Sequence, residues 1–291
     1  MLWFLSALGY SLFLASYLLA NHHFRISARM MILWRGMGGL IVLTPFIPFL
    51  PWPHNPMFYL VLATMGILAG FYERQTYDIA GSGNAGGLSR LLPLSIWVTF
   101  FAWLIISPEI RRHYGEHPLH ALVVFGCLGI CGAGLFWMQR SRVDAHLLRA
   151  AFPIIILRGI VDAMNKTAMI DSAEIFPSNL VIYIWWISVW ITLTTLVLSW
   201  RATGKIMPEN PFRKAYLAPA VVITFILIGL MACKGAAMNF APNPAYVTAT
   251  ALLSTLWVAL YHRWRNISDP SHLWAGVLIV IGTLCLVFVG G

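Results

Sequence analysis

Three charged side chains stand at helical spacing inside an otherwise apolar segment, residues 151–174. Arg158, Asp162 and Lys166 lie four residues apart, so a helix would stack them along one face over about 12 Å, at roughly 1.5 Å per residue. Charges inside a bilayer are costly and usually serve substrate binding, ion binding or proton transfer. The segment therefore predicts an intramembrane ionic site.

Two interpretations of this triplet remain open. Arg158 with Asp162, and Asp162 with Lys166, can both pair along the helix, which leaves one positive charge over. On a structural interpretation, the triplet is a self-satisfied ion network that holds helices together. On a functional one, the surplus positive charge meets an anionic group of a substrate, or Asp162 binds a coupling proton.

Four further residues complete the candidate polar site. Arg35 and Lys234, with Arg158, are expected to attract an anionic or zwitterionic substrate, although a lysine near a helix end can also snorkel to the interface. Glu73 is the second candidate for proton coupling. Tyr10 makes one face of the first apolar segment polar.

Two tryptophans are candidates for substrate contact. Trp186 and Trp190 are spaced i,i+4 and lie too deep in their segment for an interfacial belt. They can offer an aromatic surface to a substrate, or they can simply pack in the core.

No enzyme motif accompanies these residues. The chain has no metalloprotease, phosphate-loop, nucleophile-elbow or kinase signature, and its four cysteines lie in apolar runs. We therefore expect no catalytic residue, no metal, no cofactor and no direct ATP drive. An integral-membrane enzyme using Asp162, Glu73 or a histidine as general base is the alternative.

The composition is that of a polytopic membrane protein. Hydrophobic residues make up 59% of the 291, charged residues 10%, and the mean hydropathy is +0.77, whereas globular domains carry about 25% charged residues. The formal net charge is +9, but the basic residues fall in short gaps between apolar runs. We thus expect a lipid bilayer and a small-molecule substrate as partners, in a monomer or homodimer, and no nucleic acid.

Segment lengths predict an all-α fold of ten transmembrane helices, since about 20 apolar residues cross a bilayer. The segments lie near 2–20, 30–50, 57–73, 88–107, 118–138, 150–170, 177–200, 214–234, 245–262 and 271–290. Most of the 19 Lys and Arg residues fall on the side opposite the N-terminus. The positive-inside rule therefore predicts that both termini are non-cytoplasmic.

A weak internal repeat divides the chain into two halves. Aligning Gly70 with Gly229 pairs the third and fourth segments with the eighth and ninth. With five helices in each half, the second is expected to be inverted relative to the first. The predicted units are residues 1–139, a connecting loop at 140–149, and residues 150–291.

The connections after the third and eighth segments are rich in Gly, Pro and Asn. Residues 81–87 form one of them, and residues 233–244 contain the other. Both fit a broken or hinge-like passage between helices, and both also fit an ordinary interfacial turn.

The layout resembles the EamA-type transporters of the drug/metabolite transporter superfamily. The resembling stretches are MMILWRGMGGLIVL with Arg35, LSRLLPLSIWVTFFAWLI with Pro93, and the closing residues from 251 onward. The resemblance implies ten helices in two inverted halves and a central cavity, lined partly by the first and third helices of each half. On this basis we expect a secondary-active transporter of a small polar or amphiphilic metabolite in a bacterial inner membrane. A flippase for a lipid-linked head group is the alternative.

Overall fold

The computed structural model describes a chain built from helices. It covers residues 1–24, 27–79, 88, 91–138, 145–207, 210–266 and 273–289, and no strand occurs in these ranges. Twelve α-helices are described here, and we number them in chain order. They are α1 (Leu2–Phe24), α2 (Ala28–Leu43), α3 (Pro56–Ile79), α4 (Leu94–Ile106), α5 (Pro108–Glu116), α6 (Pro118–Met138), α7 (Ala145–Asp171), α8 (Ser178–Thr203), α9 (Lys214–Phe240), α10 (Pro244–Ala251), α11 (Leu253–Trp264) and α12 (Leu273–Val289).

The helix lengths identify an integral membrane protein with an all-α polytopic fold. Within the described ranges, seven helical stretches are long and apolar enough to cross a membrane, or eight if the bent pair α4 and α5 is one span. α12 is apolar but shorter, and α7 is long but carries the charged triplet. Ten spans therefore remain a prediction.

Prolines set several helix boundaries that the sequence pattern placed differently. α5 begins at Pro108 and turns 99° away from α4, while α10 begins at Pro244 and meets α11 at Leu252. Proline suits the first turn of a helix because the missing N–H is not needed there. α7 begins at Ala145, inside the predicted loop at 140–149.

Helix packing follows a reciprocal pattern between the two predicted halves. α1 packs on α9, and their counterparts in the other predicted half, α7 and α3, also pack on each other. Likewise α3 packs on α8, and their counterparts α9 and α2 pack on each other. α4 packs on α7 as α10 and α11 pack on α1. The pairs α2 with α8, α6 with α12, and α4 with α10 each join corresponding helices. The inversion of one half relative to the other, and the domain limits, stay predictions.

Glycines allow the closest of these contacts. α2 approaches α8 and α9 through Gly36, Gly38 and Gly39, where an added Cβ would meet Thr192, Thr224 and Ser188 at 2.1, 1.9 and 2.5 Å. Small residues at such contacts let membrane helices pack backbone to backbone. α2 is thus packed tightly against α8 and α9.

We expect Gly38→Ala to lower the Tm of the purified protein, because the added Cβ would lie 2.8 Å from Thr224 Cβ and overpacking destabilises a core. Gly126→Ala on α6 is the matched control, since nothing lies within 4 Å of that position and alanine favours a helix. Equal Tm changes for the two variants would contradict close packing of α2.

Candidate functional site

A buried ion pair joins α7 to α9. Lys234 Nζ donates a hydrogen bond to Asp162 Oδ1 at 2.6 Å, and Thr248 Oγ1 of α10 donates to Asp162 Oδ2 at 3.0 Å. Asp162 and Lys234 are only 4% and 9% exposed. Both carboxylate oxygens therefore have a donor, which offsets the cost of burying the charge.

A second buried ion pair joins α2 to α3. Arg35 Nη1 donates to Glu73 Oε1, and Glu73 is 6% exposed. Glu73 lies in the last third of α3 and is buried within the helix bundle. Its other oxygen, Oε2, is buried and accepts no hydrogen bond from the described residues.

Arg158 is an electrostatic neighbour of one carboxylate from each pair. It stands one turn before Asp162 on α7 and is half-buried. Its guanidinium interacts electrostatically with Tyr10, Tyr72 and both carboxylates, Asp162 and Glu73. Within the described part of the chain, no ion pair or hydrogen bond engages the Arg158 side chain directly.

Tyrosines line the remainder of the site. Lys234 Nζ lies 5.8 Å from the ring centroid of Tyr10, within cation–π range. Tyr183 on α8 is fully buried, and its hydroxyl accepts a hydrogen bond from Asn165 Nδ2 at 2.9 Å. We call the following residues the central cluster: Tyr10, Arg35, Tyr72, Glu73, Arg158, Asp162, Lys234 and Thr248.

The charge of the central cluster is set by its members. Three cationic side chains face two carboxylates, and Asp162 and Glu73 are each matched by one cation. One positive charge remains, at Arg158. Such an arrangement can bind a monoanion, and each of its two carboxylates can take up a proton.

The contact made by Lys166 differs from the one that its spacing predicted. Its Nζ donates to the backbone oxygen of Asn239 at 3.1 Å, near the C-terminus of α9. A cation in this place satisfies a terminal carbonyl and complements the helix dipole. Neither i,i+4 ion pair of α7 forms, because Asp162 is paired with Lys234. Lys166 thus supports α9 outside the central cluster.

Lys234 is not near a helix end. α9 continues to Phe240, so the predicted passage at residues 233–235 is regular helix and only residues 241–243 separate α9 from α10. Lys234 is buried against Asp162, which is incompatible with snorkelling to the interface. The other predicted passage, residues 81–87, lies outside the described residues.

The two tryptophan candidates lie between α3 and α8. Trp186 Nε1 donates to the backbone oxygen of Tyr59 at 3.1 Å, and the two rings meet edge to face at 5.5 Å. Trp190 packs against Gly66, where an added Cβ would lie 2.5 Å from Trp190 Cβ. These are packing contacts, as the core-packing interpretation expects.

Several residues of the site escaped sequence reasoning. Thr248, Tyr72 and Asn165 are common residue types in apolar helices, and nothing in their spacing distinguished them, whereas Tyr183 stood out only as a member of the aromatic group with Trp186 and Trp190. A weak signal existed for Asn165, since it is an amide between Asp162 and Lys166 in an otherwise apolar run. The described residues include no group of His, Cys, Asp or Glu side chains that could hold a metal ion.

Comparison with known proteins assigns no family. No protein-family model matches the chain, and no curated protein matches it either. The resemblance to EamA-type transporters therefore rests on the layout and the stretches quoted above.

Proposed function

We propose that this protein is a secondary-active transporter of a small polar or amphiphilic metabolite that is anionic or zwitterionic. The central cluster carries this proposal. It draws charged or hydrogen-bonding side chains from α1, α2 and α3 of the first predicted half and from α7, α9 and α10 of the second. Intramembrane ionisable groups gathered between two halves are typical of a transport site.

The reciprocal packing supports transport by alternating access. The Asp162–Lys234 pair joins two helices of the second half, and Arg35–Glu73 joins two of the first. Arg158 interacts with carboxylates from both. A rocking motion of the halves would change the distances across this divide while leaving each pair intact.

The carboxylates make proton coupling the proposed driving mechanism. Asp162 accepts two hydrogen bonds, whereas Glu73 has one oxygen without a donor among the described residues. Of the two, Glu73 has the freer oxygen for a proton. Membership of the EamA-type family, a bacterial inner membrane and non-cytoplasmic termini belong to the same proposal, on the layout and the charge distribution.

Reconstitution tests the proposal even while the substrate is unidentified. Proteoliposomes would be incubated with a deproteinated small-molecule extract of cells, and their trapped contents compared by mass spectrometry with those of protein-free vesicles. Orientation would be scored separately, in intact and in permeabilised cells, with an impermeant thiol reagent at Lys205→Cys, an exposed position. We expect at least one metabolite to accumulate only in protein-containing vesicles, and Lys205 to face the cytoplasmic side.

If the protein is instead an integral-membrane enzyme, the opposite result is expected. Conversion of a metabolite by the detergent-solubilised protein, with no accumulation in sealed vesicles, would contradict the transport proposal.

A further inference from the structure

A narrow cleft opens at the end of the helix bundle where α2 begins and where α3 and α8 end. It lies between α2 and α3, both of which pack on α8, and Ile206 and Met207 line it from the segment after α8. Its volume is about 590 Å³ with the open mouth included, within the range of sites that hold one ligand. None of its lining residues belongs to the central cluster, so the cleft is a separate feature of the protein.

The walls of the cleft are mostly apolar. Ile32 and Leu33 line it from α2, and Leu196 and Leu198 line it from α8. One hydroxyl of the lining is buried without a partner, since Ser199 Oγ makes no hydrogen bond in the described part of the chain. A ligand that fills the cleft therefore needs an apolar body, and a polar atom that reached Ser199 would satisfy the buried hydroxyl.

Two arginines from different helices line the same cleft. Arg29 is exposed in the first turn of α2, and Arg74 stands near the C-terminal end of α3. Arg74 Nη1 donates a hydrogen bond to the backbone oxygen of Leu198 at 2.9 Å, which holds the guanidinium against α8. Its Nε lies 3.8 Å from Asp78 Oδ2, but the Asp78 side chain is 68% exposed, so this ion pair is weak. The two arginines and Asp78 together carry one net positive charge.

The N-terminus of α2 adds to this positive field. Its N-cap residue, Ser27, lines the cleft and makes no side-chain hydrogen bond to the helix, and the first turn of α2 holds no acidic residue. The backbone amides at a helix N-terminus carry partial positive charge and bind phosphate. The polar end of the cleft therefore suits an anion, and its walls suit a hydrocarbon chain.

We propose that this cleft binds one anionic phospholipid. The phosphate pairs with Arg29 and Arg74, and an acyl chain lies along the apolar walls between α2 and α3. The net charge of the polar end matches one phosphodiester, and basic pockets between membrane helices bind anionic head groups. A zwitterionic lipid brings a cation of its own beside the two arginines, and a free phosphate ion leaves the apolar walls uncovered. The lipid site does not depend on the proposed transport function.

Lipid titration tests the proposal on the unaltered protein. Detergent-washed protein in a neutral detergent would be titrated with dioleoyl phosphatidylglycerol, with dioleoyl phosphatidylcholine, and with glycerophosphoglycerol, the anionic head group without its chains. Thermal unfolding reports binding, because a ligand that binds the folded state raises its Tm. Native mass spectrometry of the same samples measures how many lipids each chain retains.

We expect phosphatidylglycerol to raise Tm at a concentration roughly tenfold or more below that required of phosphatidylcholine. The head group alone should give no shift, and one phosphatidylglycerol should stay bound to each chain. Equal responses to the two lipids would overturn the proposal. An equal response to the head group alone would overturn it too, because the ligand would then be a free phosphodiester and not a lipid.

Matched variants locate the lipid in the cleft. Arg29→Gln with Arg74→Gln is expected to remove the difference between the two lipids. Arg111→Gln with Arg112→Gln makes the same change of net charge at exposed positions of α5 outside the cleft, and it should keep the difference. Because Arg74 also bonds Leu198, the single variant Arg29→Gln, at an exposed position, provides the test if the double variant does not fold. An unchanged lipid preference in folded Arg29→Gln protein, or equal losses in the cleft and α5 variants, would overturn the placement.

Discussion

Asp162→Asn is expected to lower the stability of the purified protein by about 3 to 5 kcal/mol and to abolish transport. The substitution leaves Lys234, which is 9% exposed, as a buried charge without its carboxylate, and breaking one side of a buried pair has a cost of about this size. The measurement is thermal unfolding in detergent together with uptake by proteoliposomes.

The double variant Asp162→Asn with Lys234→Met separates stability from function. Removing both charges from a buried pair is often neutral or stabilising, so most of the lost Tm should return while transport stays absent. Thr248→Val is the matched control, since it removes the hydroxyl that bonds Asp162 Oδ2 and the Pro244 backbone oxygen but leaves both charges in place, and it should cost about 1 kcal/mol. Normal uptake by the folded double variant would show that the pair serves the fold alone.

Gly9→Cys is expected to create a disulfide that stops transport reversibly. A Cβ added at Gly9 on α1 would lie 3.7 Å from Cys233 Cβ and 3.0 Å from Cys233 Sγ on α9. Disulfides prefer a Cβ–Cβ separation near 3.8 Å. The bond would tie the first predicted half to the second beside Lys234, so oxidised protein should show no uptake and reduction should restore it.

The crosslink has two controls. Gly9→Cys in a Cys233→Ser background has no partner thiol and should transport equally under oxidising and reducing conditions. Gel mobility after proteolysis between α1 and α9 measures how much crosslink has formed. Full uptake by fully crosslinked protein would mean that α1 and α9 do not move apart during transport, against alternating access between these halves.

The class of the protein and most of its charged site were accessible from the sequence, because both depend on residue type alone. A long apolar run predicts a membrane helix wherever it packs, and a charge inside such a run predicts a buried polar site. Arg35, Glu73, Arg158, Asp162 and Lys234 were all found in this way, and they do lie together.

The ion-pair partners of these charged residues could not be predicted from the sequence. Helical spacing suggested that Asp162 pairs with residues on its own helix, yet it pairs with Lys234, 72 residues away. That choice depends on which faces of α7 and α9 meet, and apolar helices in a bilayer carry little sequence signal for their rotation. For the same reason, Lys166 could not be separated from the site, and Trp186 could not be assigned to packing.

If the protein is the proposed transporter of a monoanion, the surplus guanidinium of Arg158 makes the membrane potential part of its transport cycle. The empty site carries one positive charge, whereas a site loaded with a monoanion is neutral. Moving one elementary charge through the full field is worth about 2.3 kcal/mol per 100 mV. A potential that is negative inside therefore draws the empty site toward the cytoplasm and has little effect on the loaded site. Voltage thus acts on the return step and not on the step that carries substrate.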